Sequence, residues 1–425
     1  MDVRDARIMN STLDIEKTVI ELVMADKIEA KKQLAEQIRE KAKEKGIYPA
    51  SIHDFYMARG RGEFQGFAVP AINLRTLTYD LARAIFRVAK KHSSGSFIFE
   101  IAKSEIGYTN QPPVEFASMI LAAAIKEDYS GPVFIQGDHF QVNAANFKEN
   151  PDKEIEGLKN LIKDSINAGF YNIDIDSSTV VDLSKPTIKE QQLLNYEVCA
   201  KLTKFIRSIE PENVTVSVGG EIGEIGTQNS TPEDLQAYMS GLEEHLGKGV
   251  DGISKVSVQT GTTHGGVVLP DGTIAQIKLD FNTLKTLSEE ARNKYGMAGA
   301  VQHGASTLPP EAFHKFVECE AAEVHLATAF QNIIYESEHF PEDLKQKMYT
   351  WLKNNLSNER KEGQTEEQFI YKTRKKALGQ FKKEIMALPQ QTRTAIATEV
   401  EAQFEFLFKQ LNVTNTKALV EKYCT

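Results

Sequence analysis

Cysteine is scarce: Cys199, Cys319 and Cys424 are the three in 425 residues. None forms a CxxC pair, and a sparse, odd count supplies no disulfide framework. That usage fits a reducing compartment, so a cytoplasmic location is expected. Long apolar runs are also missing. No window approaches the ~18 uninterrupted apolar residues of a membrane span. The opening residues MDVRDARIMNSTLDIEK carry no apolar segment of the signal-peptide kind. Positive charge is not in excess either. The formal net charge of -9 argues against nucleic acid as a partner. No GxGxxG opens a strand–helix unit, so the usual dinucleotide fingerprint is absent. No low-complexity tract or obvious repeat interrupts the chain.

What is present is an ordinary soluble balance, 41% hydrophobic and 26% charged residues, enough for a large core. Residues 12–46 show helical spacing, with Ile15, Val19, Leu22 and Val23 on one face and Asp14 or Ser11 placed to cap. The basic stretch KIEAKKQLAEQIREKAKEKG interleaves acidic residues, which reads as a solvated face and not as a membrane surface. From about residue 66 the texture changes. Eight short β-rich runs, GFAVPAI, SFIFEIA, GPVFIQG, YNIDID, VTVSVGG, GISKVSV, GAVQHG and AEVHLA, alternate with amphipathic helical stretches. Strand–helix alternation implies parallel βαβ units, and eight of them favour closure into a barrel. The expected class is α/β, a (β/α)8 TIM barrel over residues 63–340. Helical extensions flank it at 1–62 and 341–425.

Three of the runs end near histidine: His139 in PVFIQGDHF, His264 in VSVQTGTTHGG and His303 in GAVQHGAS. The C-terminal strand ends of such a barrel converge on one site. Three neutral imidazoles with an open fourth position suit a catalytic zinc, and equally cobalt, iron or manganese. Asp138 precedes His139 at a strand end, where the turning chain lets both side chains reach one pocket. There it serves either as a general acid/base or as a cap on the next helix. Small residues after His264 and His303 allow close backbone approach to a phosphate. Glu221 ends an apolar strand, and an unpaired buried carboxylate is costly unless a cation lies nearby. Asp174 and Asp176 in NIDIDSS are candidates to orient histidine ring nitrogens.

In order along residues 66–330, these elements resemble the class II, metal-dependent fructose-bisphosphate aldolase family. The pattern comprises Gly137-Asp138-His139, then Gly169-Phe170 through Ile175-Asp176-Ser177-Ser178, then Glu221-Ile222-Gly223-Glu224-Ile225-Gly226. Gly261-Thr262-Thr263-His264-Gly265, Lys278-Leu279-Asp280-Phe281 and His303-Gly304-Ala305-Ser306-Thr307 complete it. The resemblance implies that His139, His264 and His303 bind the divalent metal, usually Zn2+, with a monovalent cation as a further possibility. It makes Asp138 the acid/base on the C4 hydroxyl of a ketose and places Glu221 beside the metal as an alternative ligand. It assigns Gly265, Gly304, Ser306 and Thr328 to the phosphate of dihydroxyacetone phosphate, and Asn73 to substrate contact. Arg374, in YKTRKKALGQF, is the nearest counterpart of an arginine that a neighbouring subunit lends to the far phosphate.

The chain also departs from that pattern. The long loop expected after the Glu221 turn is reduced to GTQNSTPED. The N-x-x-T-D element reads His325-Leu326-Ala327-Thr328-Ala329, and Ala305 replaces a glycine. These changes touch substrate contact more than metal binding. The first expectation is a zinc-dependent aldolase that splits fructose 1,6-bisphosphate into dihydroxyacetone phosphate and glyceraldehyde 3-phosphate through a metal-stabilised enediolate. A class II aldolase acting on another ketose phosphate is the second. A non-catalytic accessory subunit of a tagatose-bisphosphate-type aldolase is the third. The expected partners are a small sugar phosphate and further copies of the chain, as a homodimer or larger, with no nucleic acid and no membrane.

Overall fold

A computed structural model describes residues 13–222, 228–261 and 279–424. The apolar runs become strands because nearly every residue in them is buried. The strands are β1 (Ile47–Ala50), β2 (Val69–Asn73), β3 (Ile98–Ala102), β4 (Gly131–Gln141), β5 (Asn172–Asp176), β6 (Ser217–Glu221), β7 (Lys255–Val258), β8 (Ala300–Gln302) and β9 (Glu323–Leu326). Their order is β1-β4-β3-β2-β9-β8-β7-β6-β5, all parallel, and β5 returns to β4. Strands β2 to β9 therefore close an eight-stranded barrel, the (β/α)8 architecture expected from the eight runs.

The helices cover the outside with apolar faces. Helix Thr78–Lys91 buries Leu81, Ile85, Phe86 and Val88. Helix Pro151–Ala168 begins at the Asn150 cap and stops at Gly169. Helix Pro232–Leu246 begins with a Thr231–Asp234 capping box. No helix among the described residues is long and apolar enough to cross a membrane.

The segment before the barrel differs from a continuous helical extension. Helices Ile15–Met24 and Ile28–Glu44 are separate, and Asp14 caps the first by accepting from the Lys17 N–H. The break lets both pack on helix Pro113–Lys126. Lys31 Nζ closes the corner by donating to the Leu22 carbonyl at 2.7 Å and to Glu115 at 2.6 Å. The four residues of β1 then join the sheet beside the start of β4. They are too few, and too interrupted by Pro49, to show a period of two. Helix His53–Gly60 follows, and its Tyr56 hydroxyl donates to Glu323 at 2.6 Å.

The C-terminal residues also build on the barrel. Helix Gln390–Gln410 lies along helix Thr78–Lys91, where Arg393 pairs with buried Asp80 at 3.1 Å and Arg87 pairs with Glu401. A short turn at Arg374–Lys376 packs beside helix Lys103–Thr109.

Candidate active site

β4 is the strand that sets the site. Its register against β5 shifts between Gly137 and Phe140, and His139 takes φ 41°. A non-glycine residue in the left-handed region costs energy and marks a functional constraint. The bulge cancels the alternation of the strand, so Asp138 and His139 both line one cavity. Gly137 is required there, because a Cβ would overlap the Phe140 ring.

That cavity holds about 490 Å³ at the C-terminal ends of the strands. His139 and His303 face each other within it, ring centroids 4.2 Å apart. His139 Nδ1 lies 3.0 Å from Asp176 Oδ2, which orients the ring and turns Nε2 towards the pocket. One ligand atom each from Asp138, His139 and His303 falls within a 4.8 Å cluster. Buried Glu221 approaches from the side, with Oε2 4.0 Å from His139 Nδ1 and 3.8 Å from His303 Nδ1. Burial opposes a proton on His139, but the carboxylates of Asp138, Asp176 and Glu221 outweigh it and hold the imidazole well above its usual value. His303 goes the other way, held well below by burial and by the imidazoles of His139 and His325. Burial would raise the Asp138 carboxyl, yet His139 and His325 keep it well below the usual carboxylate range. The donor set of two imidazoles flanked by carboxylates, with one ring already oriented from behind, fits a divalent metal.

The expected residues distribute as follows. Asp138, His139 and His303 converge, with Glu221 alongside. Asn73, Gly304, Ser306 and Thr328 line the same cavity. Asn73 donates to Glu105, which Arg75 also holds at 2.7 Å. Ser306 Oγ accepts from the Ala329 N–H in the first turn of helix Thr328–Glu336. His264 and Gly265 lie outside the described residues, as does Glu224. Asp176 orients a histidine, whereas Asp174 pairs with Lys255 at 3.0 Å, within the barrel.

Arg374 does not join the cavity of its own chain. Its guanidinium is buried against the Tyr335 and Tyr371 rings and donates to Asn332, so in its own chain it is a packing residue outside the cavity. The neighbouring Lys375 lines the cavity instead, 5.6 Å over the Tyr108 ring. Adjacent residues of a tight turn point apart, so a one-residue offset exchanges a buried side chain for a pocket side chain.

Several site residues escaped the motif reading. His325 registered only as a departure from pattern, yet its ring lies 4.2 Å from that of His303. Glu100 and Glu323 are single acids within apolar strands, and Lys255 is a single base within another. A lone charge in a buried strand is costly without a partner, and that was the available signal. Lys255 Nζ reaches both Glu323 oxygens and Gln136 Oε1 at 2.6 Å. Gly219 makes room for this group, since a Cβ there would collide with Asp174 and Lys255.

A closed parallel barrel with imidazoles and carboxylates gathered at its C-terminal mouth defines the general class. The class-II fructose-bisphosphate aldolase family model matches residues 61–406, and the chain belongs to that family. No curated protein matches it in sequence. Among solved structures, that of a probable tagatose 6 phosphate kinase from Sinorhizobium meliloti 1021 is similar with TM-score 0.60 and 16% identity, over 81% of this chain and 100% of the other. The fructuronate-tagaturonate epimerase UxaE from Cohnella laeviribosi is similar with TM-score 0.52 and 12% identity, over 93% of this chain and 86% of the other. The fructose-bisphosphate aldolase from Campylobacter jejuni shares 20% identity over 86% of this chain and 94% of the other, with TM-score 0.49. At these identities the first two likenesses concern the fold alone.

Proposed function

We propose that the chain is a divalent-metal-dependent aldolase, with Zn2+ the first candidate, that cleaves and condenses a ketose bisphosphate. Fructose 1,6-bisphosphate is the substrate to test first. The observation that carries this reading is the β4 bulge, which puts a carboxylate and an imidazole from adjacent positions into one cavity facing a second imidazole. His139 and His303 would hold the metal, joined by His264 in the family pattern, with Glu221 beside them. A divalent cation bound there would supply Lewis-acid stabilisation of the negative charge that develops on the ketose oxygens.

The remaining roles belong to the chain itself. Asp138 takes the C4 hydroxyl proton during cleavage and returns it during condensation. Asp176 keeps the His139 ring in place. Ser306, Thr328 and the first turn of helix Thr328–Glu336 offer donors to one phosphate, a favourable end for an anion. Lys375, supplied by the C-terminal residues, is suited to the charge at the far end of the substrate. A second reading, a different ketose phosphate, is favoured by His325, which alters the cavity wall near Thr328. The chain is expected to work without nucleic acid or membrane and as a homo-oligomer.

The test is cleavage of fructose 1,6-bisphosphate with and without a chelator, alongside Asp138→Asn. Expected are chelator-sensitive turnover and a loss of roughly 10²–10⁴-fold in the variant, with metal retained at the histidine site. Turnover that survives both treatments would refute the reading. Turnover only with another ketose phosphate would select the second.

A further inference from the structure

A second cluster lies beside the His139–His303 pair. Glu100 from β3, Asp138 from β4 and His325 from β9 each bring one ligand atom within 4.8 Å of the others. His325 Nδ1 is 3.0 Å from Glu100 Oε2 and 3.3 Å from Asp138 Oδ1. The three residues are only 1%, 6% and 4% exposed. At these distances neither His325 Nδ1 nor Asp138 Oδ1 makes a hydrogen bond of good geometry.

The other ring nitrogen accounts for the arrangement. His325 Nε2 lies 2.9 Å from Glu323 Oε2. Glu323 is fixed in turn by Lys255 Nζ and by the Tyr56 hydroxyl. A carboxylate anchored in this way accepts a hydrogen bond from Nε2–H and so selects the tautomer that keeps its proton on Nε2. The Nδ1 lone pair is then left flanked by two carboxylate oxygens in a buried space. Glu100 Oε2 also accepts from Gln136 Nε2 at 3.2 Å, and the remaining repulsion among these electron-rich atoms is relieved by a proton or a cation between them. The same carboxylates also favour a second proton on the ring. A proton serves one oxygen, whereas a divalent cation serves both.

We propose that Glu100, Asp138 and His325 form a second divalent-cation site, sharing the Asp138 carboxylate with the His139–His303 site. Two carboxylates and one imidazole are a harder donor set than a group of histidines, and suit an ion such as Mn2+. Glu323, Lys255 and Tyr56 are its positioning residues, stacked behind His325 towards the floor of the barrel. The shared carboxylate leaves its other oxygen for proton transfer. The proposal rests on the preceding reading only in treating the first site as a metal site.

The full-length protein, stripped with chelator, is titrated with Mn2+ alone. Bound ions are counted by elemental analysis and by electron paramagnetic resonance. The expected result is two ions per chain, with a signal broadened by their proximity. His325→Asn and Glu100→Gln, both close in size to the native residues, should each keep one ion and lose the broadening. One ion in the wild type at saturation overturns the site and leaves His325 as an imidazolium. Two ions in both variants, or none in either, place the ions elsewhere and also overturn it. His139→Ala separates the two readings: an unchanged count there, with a lowered count in His325→Asn, removes the first site and keeps the second.

Discussion

The two sides of the barrel wall are packed by different chemistry. Outside, between strands and helices, the contacts are Ile, Leu, Val and Phe, such as Ile72, Ile85, Phe86 and Phe99, all fully buried. Inside, Gln136, Asp174, Lys255 and Glu323 fill the floor with ion pairs, and Glu100 and His325 continue them upward to the cavity. The outer layer is held by area removed from water and tolerates substitutions of similar volume. The inner layer is held by a cation fixed among carboxylates, where removing one partner strands the rest. The layer that carries stability at low cost is therefore separate from the layer that prepares charge for chemistry.

Three substitutions sharpen that contrast. Lys255→Met should cost about 3–5 kcal/mol in chemical denaturation, because Glu323 and Asp174 lose their counter-charge. Adding Glu323→Gln should recover part of this loss; no recovery would mean that packing, and not charge, is what Lys255 supplies. Ile85→Val in the outer layer should cost only about 1 kcal/mol, the loss of one buried methylene and its contacts. A loss as large as that of Lys255→Met would erase the distinction between the layers.

The subtlest effect is a pH dependence of the metal-free protein. Burial and the neighbouring Asp138 and Glu323 raise the Glu100 carboxyl from 4.5 to about 7, against the pull of His325. Between those values the unfolded chain has lost the proton that the folded chain keeps. Stability from this group therefore falls as pH rises from about 4.5 to about 7, and is level above. Glu100→Gln should remove that fall, so the variant gains on the wild type across this window. Parallel stability curves for the two proteins would show that Glu100 does not titrate with folding.

Much of the outer layer was legible in the chain. The eight β-rich runs correspond to β2–β9, and apolar spacing identified the helices that cover them, because periodicity is a local property. The acid–imidazole neighbours Asp138 and His139 were legible as a pair at a strand end. Their shared direction depends on a bulge, which is a relation between β4 and β5. Arg374 and Lys375 show the limit of reading a site residue by residue: both are basic and adjacent, and the turn decides which one reaches the cavity. His325 is the clearest case. As a letter in a motif it was only a replacement, and its meaning comes from Glu323 behind it and from Glu100 and Asp138 in front.

The sequence alone thus determined the barrel, its helical cover and the chemical types at the strand ends, since these follow from hydrophobic period and from which side chains can bind metal or move protons. Only the tertiary structure decided which charges face one another. Ion pairs such as Lys255–Glu323 and the His325 cluster join strands far apart in the chain, and their energy depends on distance, burial and ring orientation, none of which one strand carries by itself.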